Sequence, residues 1–499
     1  MTTETLRPAL RPSSRALAGW LPAAALGTVL RLVSFGAYAV VVIAVAQRHE
    51  PWFDEAQAWL LARDDSLWHL LSSQMRYEGS PPLWHLLLMG PAKLGAPYAT
   101  ITVIAVAIAI AGAYVLVRHS PFPLPLTLGV LFSFVVAYQY AVVARSYVLL
   151  PLLLFLLAIA WAGRIRDPWP FVLILGLLAS TSTHGLLVAG SVFLVHLLQV
   201  WRPIDKVPLS VPVRRAHLRS GVAFMVLCGL LVLELWPAQD QSLGSGFNLD
   251  PMHFLTVAPA VLRNALAGDA FIAFAAVALS AWWFRRTRTL LLWALPTLAL
   301  LTLAAVKYQN QWHDGIPFLV WVFALWVSLA QGPAGGWGSR LDSWARSGAY
   351  LAMAAVLVVQ AGWWWQTVRH DWTYPYSGSR QLAAWLEAQP ASAELFAIGF
   401  HSLAALPYLD RNVYANNNGG GAAYMHWSTS PRLDDDIWSV WLAEPDIIVW
   451  SVRSRRALMD PALPGYERVA VFEGDMYWKN RAIERDAYYV FEPAGMQAP

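Results

Sequence analysis

The chain has 499 residues, of which 57% are hydrophobic and 13% are charged. A soluble domain of ordinary composition carries about 25% charged residues, so this composition argues against a soluble protein. The net charge of +4 does not indicate nucleic-acid binding, because the excess Arg and Lys lie in short loops between apolar runs. The lone cysteine, Cys228, excludes an intrachain disulfide bond and a cysteine-based metal site.

The N-terminus carries Arg7, Arg11 and Arg15 ahead of the first apolar run. A cleaved signal peptide would need a small-residue cleavage site, and none is apparent before Gln47. We therefore interpret the run as an uncleaved membrane anchor and residues 1–27 as a cytoplasmic segment.

Apolar runs of roughly 15 to 25 residues recur between Val29 and Gln366, and each is long enough to cross a bilayer as a helix. The 27 Trp and 18 Tyr are typical of aromatic belts at membrane interfaces. We predict a polytopic α-helical membrane protein with about ten to twelve transmembrane helices. The stretch 82–117, which is broken at Gly90-Pro91, is expected to form a short or re-entrant helix and then a full span. The later spans are predicted near 121–137, 148–163, 168–182, 184–201, 220–237, 269–284, 289–306, 316–331 and 347–366.

The basic residues of the loops predict an orientation, because loops rich in Arg and Lys stay in the cytoplasm. The basic loop residues are Arg118, Arg164, Arg166, Arg202, Lys206, Arg214, Arg215, Arg219, Arg285, Arg286, Arg288, Arg340 and Arg346. The connections between these loops are then expected to face outward. They are 47–81, 138–147, a turn near 183, 238–268, 307–315 and everything after Trp365.

The apolar pattern ends near residue 367, and the remaining chain is rich in charged and turn-forming residues. A helical run near 379–388 and β-like runs at Ile447–Trp450 and Val469–Phe472 predict a small α/β domain over 367–499. By the charge argument this domain is extracytoplasmic, and residues 28–366 form the transmembrane domain.

An acidic pair, Asp54-Glu55, follows the first apolar run directly. Carboxylates close to apolar surface usually persist because they pair, bind a metal or transfer protons. An equally simple interpretation is that they cap the N-terminus of an interfacial helix. The sequence predicts two short amphipathic helices here, over 54–63 and 66–75, that lie on the membrane surface. Their expected lipid-facing residues are Trp59, Leu60, Trp68, Leu70 and Leu71.

Other chemically capable side chains fall in the same outward connections. They are Arg76, Tyr77, Glu78, Arg145, His184, Lys307 and His313. A site that holds a phosphate ester and removes a proton from a hydroxyl needs a carboxylate as base and cations for the phosphate. Each residue alone also suits an ordinary loop or helix-end position, so the prediction depends on their collecting on one face.

Several motifs resemble the GT-C superfamily of membrane glycosyltransferases. They are the acidic pair, the run from Tyr77 to Trp84 (Tyr-Glu-Gly-Ser-Pro-Pro-Leu-Trp), Ala144-Arg-Ser-Tyr147 and the outward C-terminal domain. The nearest likeness is to the bacterial branch similar to protein mannosyltransferases, lipid A aminoarabinose transferases and lipopolysaccharide-core galacturonosyltransferases. The resemblance extends over 30–370 in architecture and is sharp only in 52–85.

The resemblance implies an inverting transferase of the bacterial inner (plasma) membrane. Its donor would be a sugar on polyprenyl phosphate, and its acceptor an extracytoplasmic glycan, lipid or protein. The membrane lipids would be further partners, nucleic acid would not, and the active site would face the periplasm. These expectations leave the sugar and the acceptor open.

The resemblance also assigns roles to residues. Asp54 is the expected general base, with Glu55 assisting it. The expected donor or phosphate-binding residues are Arg76, Tyr77, Glu78, Arg145, Lys307 and His313. The candidates for a divalent metal, the one cofactor considered, are Glu55, Glu78 and His184. The second outward connection lacks an Asp-x-Asp element, which leaves metal dependence open.

Two other classes of protein fit parts of the pattern. A ligase or polymerase of the O-antigen type would use a similar donor lipid, but it usually has a large outward loop between late spans. A transporter or flippase for lipid-linked sugars would show inverted repeats and charges at mid-membrane. The sequence shows no internal repeat, and most of its charges lie at the ends of apolar runs.

Overall fold

The structure, a computed structural model, describes residues 23–201, 210–242, 246–333, 339–454 and 460–495. Residues 1–22 with their arginines, and Arg202 and Lys206, lie outside the described residues. The helices are α1 (Ala23–Arg48), α2 (Phe53–Asp64), α3 (Leu67–His69), α4 (Met75–Glu78), α5 (Leu83–Lys93), α6 (Thr100–His119), α7 (Leu124–Leu131), α8 (Leu149–Gly163), α9 (Trp169–Ala179), α10 (Thr183–Trp201), α11 (Val211–Glu234), α12 (Pro251–Leu266), α13 (Ala270–Arg286), α14 (Leu290–Val306), α15 (Gly315–Gln331), α16 (Arg340–Thr373), α17 (Ser379–Glu387) and α18 (Ile437–Leu442). The strands are β1 (Leu395–Ile398), β2 (Ile447–Ser454), β3 (Tyr466–Trp478) and β4 (Arg481–Pro493).

The described part of the chain is mostly helical, and 7 of its helices are long and apolar enough to cross a membrane. The number becomes 8 if α12 and α13, which are bent by 87° at their junction, form one broken span. Two further apolar helices, α9 and α14, are shorter. The prediction of a mostly helical chain with several apolar helices long enough to cross a membrane is confirmed, whereas membrane insertion and the number of ten to twelve spans stay predictions.

One predicted span is interrupted in the structure. The run 121–137 is not one span, because α7 ends at Leu131 and a π-helical turn follows over Val135–Gln139. The Ser133 hydroxyl donates to the Val130 carbonyl (2.8 Å) at the break, so the side chain competes with the helical ladder there. The stretch 82–117 forms a short helix and then a long one, as predicted.

The connection 238–268, predicted as an outward loop, contains helix α12. Asp250 caps its N-terminus by accepting from the Met252 N–H (2.9 Å). Val257 and Val261 are buried on one side, whereas Met252 and Leu255 are more than half exposed. The helical period of these apolar residues predicts an amphipathic helix, and treating the segment as a loop overlooked it.

The predicted outward connections gather at one end of the helical bundle, although they are far apart in the sequence. Hydrogen bonds join Thr183 Oγ1 to Gly79 O (3.0 Å), Gln139 Nε2 to Trp312 O (2.7 Å) and Gln241 Nε2 to Tyr77 O (3.2 Å). Two of the predicted cytoplasmic loops likewise meet through Arg286 Nε and Asp342 Oδ1, 2.5 Å apart. The sequence thus grouped the connections correctly, and the side of the membrane that each end faces stays a prediction.

The first outward connection is packed inside the protein. Trp59 is 2% exposed, and Leu60 and Leu70 are fully buried, so the prediction that they face lipid is wrong. Trp68 is 79% exposed, in line with the expectation. Helix α2 is covered because α5 packs on one side of it and the C-terminal 3₁₀ segment Phe400–Tyr408 packs on another.

The C-terminal region contains a four-stranded sheet in the order β1-β2-β4-β3. Strands β1 and β2 are parallel, and the other pairs are antiparallel. The predicted helix near 379–388 and both predicted strand runs are confirmed as α17, β2 and β3. The core of this region is continuous with the core of the bundle. The sheet therefore sits directly on the end of the bundle where the outward connections meet.

Candidate functional site

The acidic pair lies in the first turn of α2, and its two carboxylates have different surroundings. Glu55 is fully buried, whereas the Asp54 side chain is 29% exposed. Neighbouring residues on a helix point about 100° apart, so one of them can face the protein interior while the other faces a cavity. The pair therefore divides into an interior carboxylate and an accessible one.

Glu55 is held by several donors. Its Oε2 accepts from the Trp52 N–H (3.1 Å), which is the helix-capping contact weighed above, and its Oε1 accepts from the Ala144 N–H (2.6 Å). His49 Nε2 lies 3.3 Å from Oε2. With these contacts Glu55 fastens the start of α2 to the segment that carries Arg145.

His49 connects Glu55 to a second buried carboxylate. Its Nδ1 lies 3.1 Å from Asp371 Oδ2, which also accepts from the Tyr138 hydroxyl (2.9 Å). Burial disfavours a charged imidazole, but Asp371 and Glu55 outweigh burial and raise the pKa of His49 to about 10. We name His49, Glu55, Asp371 and Tyr138 the buried network. It joins the first and second outward connections to the end of α16.

Asp54 forms an ion pair with Arg145, and the two side chains are partly exposed. Arg145 Nη1 lies 2.8 Å from Asp54 Oδ2. Burial alone would lower the pKa of Arg145, but Asp54 and other nearby groups raise it, so the guanidinium stays charged. Its carbon lies 5.3 Å from the Tyr147 ring centroid, within cation–π range.

Glu78 lies close enough to Asp54 and Arg145 to interact with them electrostatically. Its Oε1 accepts from the Gln57 (2.8 Å) and Gln74 (3.5 Å) amides. Burial raises the pKa of Glu78 to about 7, the negative charge of Asp54 adds to the rise, and the amides and Arg145 oppose it. Near neutral pH this carboxyl is therefore present in both its protonated and its charged form.

Two histidines meet beside Arg145. The rings of His184 and His313 have centroids 4.1 Å apart, and His313 Nε2 lies 2.9 Å from the Tyr147 hydroxyl. His313 Nδ1 is buried, and no partner for it is found within the described ranges. The structure thus brings together Asp54, Glu55, Glu78, Arg145, His184 and His313 from the predicted set.

A cavity of about 440 Å³ opens beside Asp54. Its walls come both from the bundle end and from the C-terminal region. The lining residues are Trp52, Phe53, Asp54, Tyr308, Asn310, Trp312, Phe400, His401, Trp427, Arg453, Ser454 and Glu484. Among the predicted site residues, Asp54 is the one that lines this cavity.

Three predicted residues lie elsewhere. The Tyr77 hydroxyl donates to Asp240 (2.8 Å) and its ring packs on His426, while Arg76 is exposed and its carbonyl accepts from Gln241. Lys307 Nζ lies 4.8 Å from the Phe247 ring centroid. None of the three lines the cavity, so the geometry gives them no direct contact with a molecule bound beside Asp54.

The candidate metal ligands do not form a metal site. In the part of the chain that the structure describes, no group of three or more His, Cys, Asp and Glu is placed to hold a metal ion. Glu55 is occupied by backbone donors and His49, Glu78 by two amides, and His184 packs against His313. These residues therefore do not fit a resident divalent ion.

Sequence reasoning missed the residues that the C-terminal region contributes, and it missed His49 and Asp371. His49 lies in the same outward connection, a few residues before Asp54, and a histidine so close in sequence to a carboxylate pair was a usable signal. His401, Trp427, Arg453 and Glu484 belong to separate segments that only the tertiary fold brings together.

Comparison with known proteins adds no relative to this picture. No family model, curated protein or solved structure matches the chain. The functional argument therefore rests on the geometry of the site and on the resemblance described above.

Proposed function

We propose that this protein is an inverting glycosyltransferase of the GT-C type. It transfers a sugar from polyprenyl phosphate to a glycan, lipid or protein acceptor outside the cytoplasm. The observation that carries the proposal is the Asp54–Arg145 pair (2.8 Å), in which Asp54 lines the 440 Å³ cavity and Arg145 lines a smaller pocket that shares Trp52 and Trp312 with it. It combines a base and a cation, and the chemistry needs both.

Arg145 provides the charge that a phosphate leaving group requires. When the donor binds, its phosphate competes with Asp54 for the guanidinium, since Arg can pair two N–H groups with two oxygens of either a carboxylate or a phosphate. When Arg145 pairs with the phosphate instead, the Asp54 carboxylate is released. Donor binding thereby leaves Asp54 free to accept a proton at the moment when the base is needed.

The reaction is a single displacement. The acceptor hydroxyl loses its proton to Asp54 as its oxygen forms a bond to the anomeric carbon. The bond between that carbon and the phosphate oxygen breaks, and polyprenyl phosphate leaves with the electron pair, stabilised by Arg145. Tyr147 and His313, next to Arg145, supply further hydrogen bonds to the phosphate. Glu55 is a positioning residue in this scheme, because its contacts with Trp52 and Ala144 hold Asp54 and Arg145 next to each other.

The membrane location is part of the proposal. Only 22% of the apolar window of α1 and 17% of that of α11 are buried by the rest of the chain, which suits lipid contact. The basic loops favour an orientation with the site and the C-terminal region outside the cytoplasm, and the resemblance implies a bacterial inner membrane. A lipid-linked donor suits that side, because its energy is stored in the phosphate ester itself.

The test compares Asp54→Asn with wild type in proteoliposomes that contain polyprenyl-phosphate hexoses or pentoses and a cell-envelope extract as acceptor source. Release of polyprenyl phosphate measures turnover. Loss of a general base lowers turnover by roughly 10²- to 10⁴-fold. Asp167→Asn is the control, since Asp167 is exposed and only caps the turn before α9.

Near-normal release by folded Asp54→Asn would remove Asp54 as the base. Movement of labelled donor across the bilayer without product would favour the transporter alternative instead.

A further inference from the structure

The C-terminal region provides half of the cavity. Residues of the bundle end form one wall, and the remaining wall consists of Phe400, His401, Trp427, Arg453, Ser454 and Glu484. Asp54 lies on the first wall, so a molecule in the cavity would contact the C-terminal region and the carboxylate together. The C-terminal region is therefore a part of the site.

The walls of the cavity are rich in aromatic faces. Trp52 and Trp312 have ring centroids 5.4 Å apart, and Trp427 meets Phe400 edge to face at 5.1 Å. Aromatic faces carry partial negative charge, and they attract weakly positive C–H groups such as those on one face of a pyranose ring. Packing against one another also keeps these rings in fixed orientations.

The basic group of the cavity is neutralised before any ligand binds. Arg453 forms an ion pair with Glu484, its Nη1 donates to His401 Nε2 (2.9 Å), and its guanidinium lies 4.4 Å from the Trp52 ring centroid. Burial, with Arg453 adding to it, lowers the pKa of His401 to about 3, so this imidazole is neutral. An anionic ligand would have to compete with Glu484 for the guanidinium. A neutral polar ligand would meet no such competition.

We infer that the wall formed by the C-terminal region is a subsite for a neutral saccharide, with Trp427 as its stacking face and Arg453 and His401 as hydrogen-bonding groups. The volume lies within the range of small-molecule sites, about 300–1,000 Å³. If the proposed function holds, this saccharide is the end of the acceptor, and its hydroxyl is presented to Asp54. Saccharide binding itself does not depend on that function.

The experiment uses the full chain in lipid nanodiscs and saturation-transfer-difference NMR, which detects weak binding. The probes are methyl glycosides of neutral hexoses and pentoses, with methyl glucuronoside and inorganic phosphate as anionic competitors. We expect saturation of the ring C–H protons of at least one neutral glycoside. Trp427→Ala should weaken that binding roughly tenfold, whereas Trp427→Phe should keep most of it because an aromatic face remains.

Trp438→Ala is the matched control, since Trp438 belongs to the same region and is 67% exposed. It should leave saccharide binding within about twofold of wild type, because an exposed side chain outside the cavity adds little to binding inside it. The inference is overturned if no neutral glycoside is saturated or if Trp427→Ala and Trp438→Ala weaken binding equally. It is also overturned if phosphate or glucuronoside displaces the neutral glycoside.

The outcome is separable from that of the proposed function. Saccharide binding without release of polyprenyl phosphate would refute the transferase and leave the subsite in place. Release of polyprenyl phosphate by a protein that binds no neutral glycoside would refute the subsite and leave the transferase in place.

Discussion

Glu55→Gln tests the division of the acidic pair, because it removes the interior charge and leaves the shape almost unchanged. The Glu55 carboxylate accepts from two backbone N–H groups and pairs with His49. A glutamine has a single acceptor oxygen at the end of its side chain, so its amide N–H group would face a donor that the carboxylate now satisfies.

The magnitude follows from these contacts. Removing one partner of a buried ion pair destabilises a protein by about 3–5 kcal/mol. Glu55→Gln should cost only part of this, because His49 still pairs with Asp371. A buried donor without an acceptor adds about 1–3 kcal/mol. We therefore expect Glu55→Gln to lower the free energy of unfolding by about 3–5 kcal/mol. Asp54→Asn should lower it by less than about 1 kcal/mol, because its ion pair is partly exposed.

Equilibrium unfolding in mixed micelles measures both values, and release of polyprenyl phosphate measures activity. Asp54→Asn should fold with near-wild-type stability and lose activity, whereas Glu55→Gln should lose stability first. A double variant, His49→Gln with Glu55→Gln, should cost less than the sum of the single changes, since neither charge is then left without the other. Equal stability losses for Asp54→Asn and Glu55→Gln would refute the division of roles.

Three further predictions concern Glu78, Arg145 and Lys479. Burial raises the pKa of Glu78 to about 7 from 4.5, so its contribution to stability is complete below pH 4.5 and is lost as the pH rises through 7. Unfolding of Glu78→Gln measured across this range should therefore depend less on pH than unfolding of wild type. Arg145→Lys should keep the charge but lose the planar fork, and turnover should fall by roughly 10- to 100-fold, with a larger loss in Arg145→Ala. Lys479→Met should speed hydrogen exchange at the β3–β4 turn, because the Lys479 ammonium donates to Asn264 O (2.6 Å) and lies over the Trp363 ring; unchanged exchange would show that this contact does not hold the turn.

The helical segments were predictable because each must be apolar over most of its length. Their ends were less so. The sequence of 121–137 is mostly apolar, and the hydroxyl of Ser133 accompanies the break that shortens α7. Helix α12 was missed for the opposite reason, since its apolar residues follow a helical period over too short a run to suggest a span.

The burial of helix α2 beneath the C-terminal region could not be predicted from the local sequence pattern. Trp59 and Leu60 have the composition of a membrane-surface helix, and composition does not distinguish burial against lipid from burial against protein. The contact that decides it comes from Phe400–Tyr408, more than three hundred residues later in the chain. The same distance hid Arg453, His401 and Trp427 from the predicted site.

The acidic pair itself shows where sequence reasoning stops. Adjacent residues on a helix point about 100° apart, so Asp54 and Glu55 can differ in burial, and one of them can point into the interior. Helix α2 is surrounded by protein, and its residues show no polar face that would tell which one. The deciding contacts are the Ala144 N–H and His49 on one side and Arg145 on the other. A base must reach a ligand and exchange a proton with it, and among these two carboxylates Asp54 alone lines a cavity that admits one.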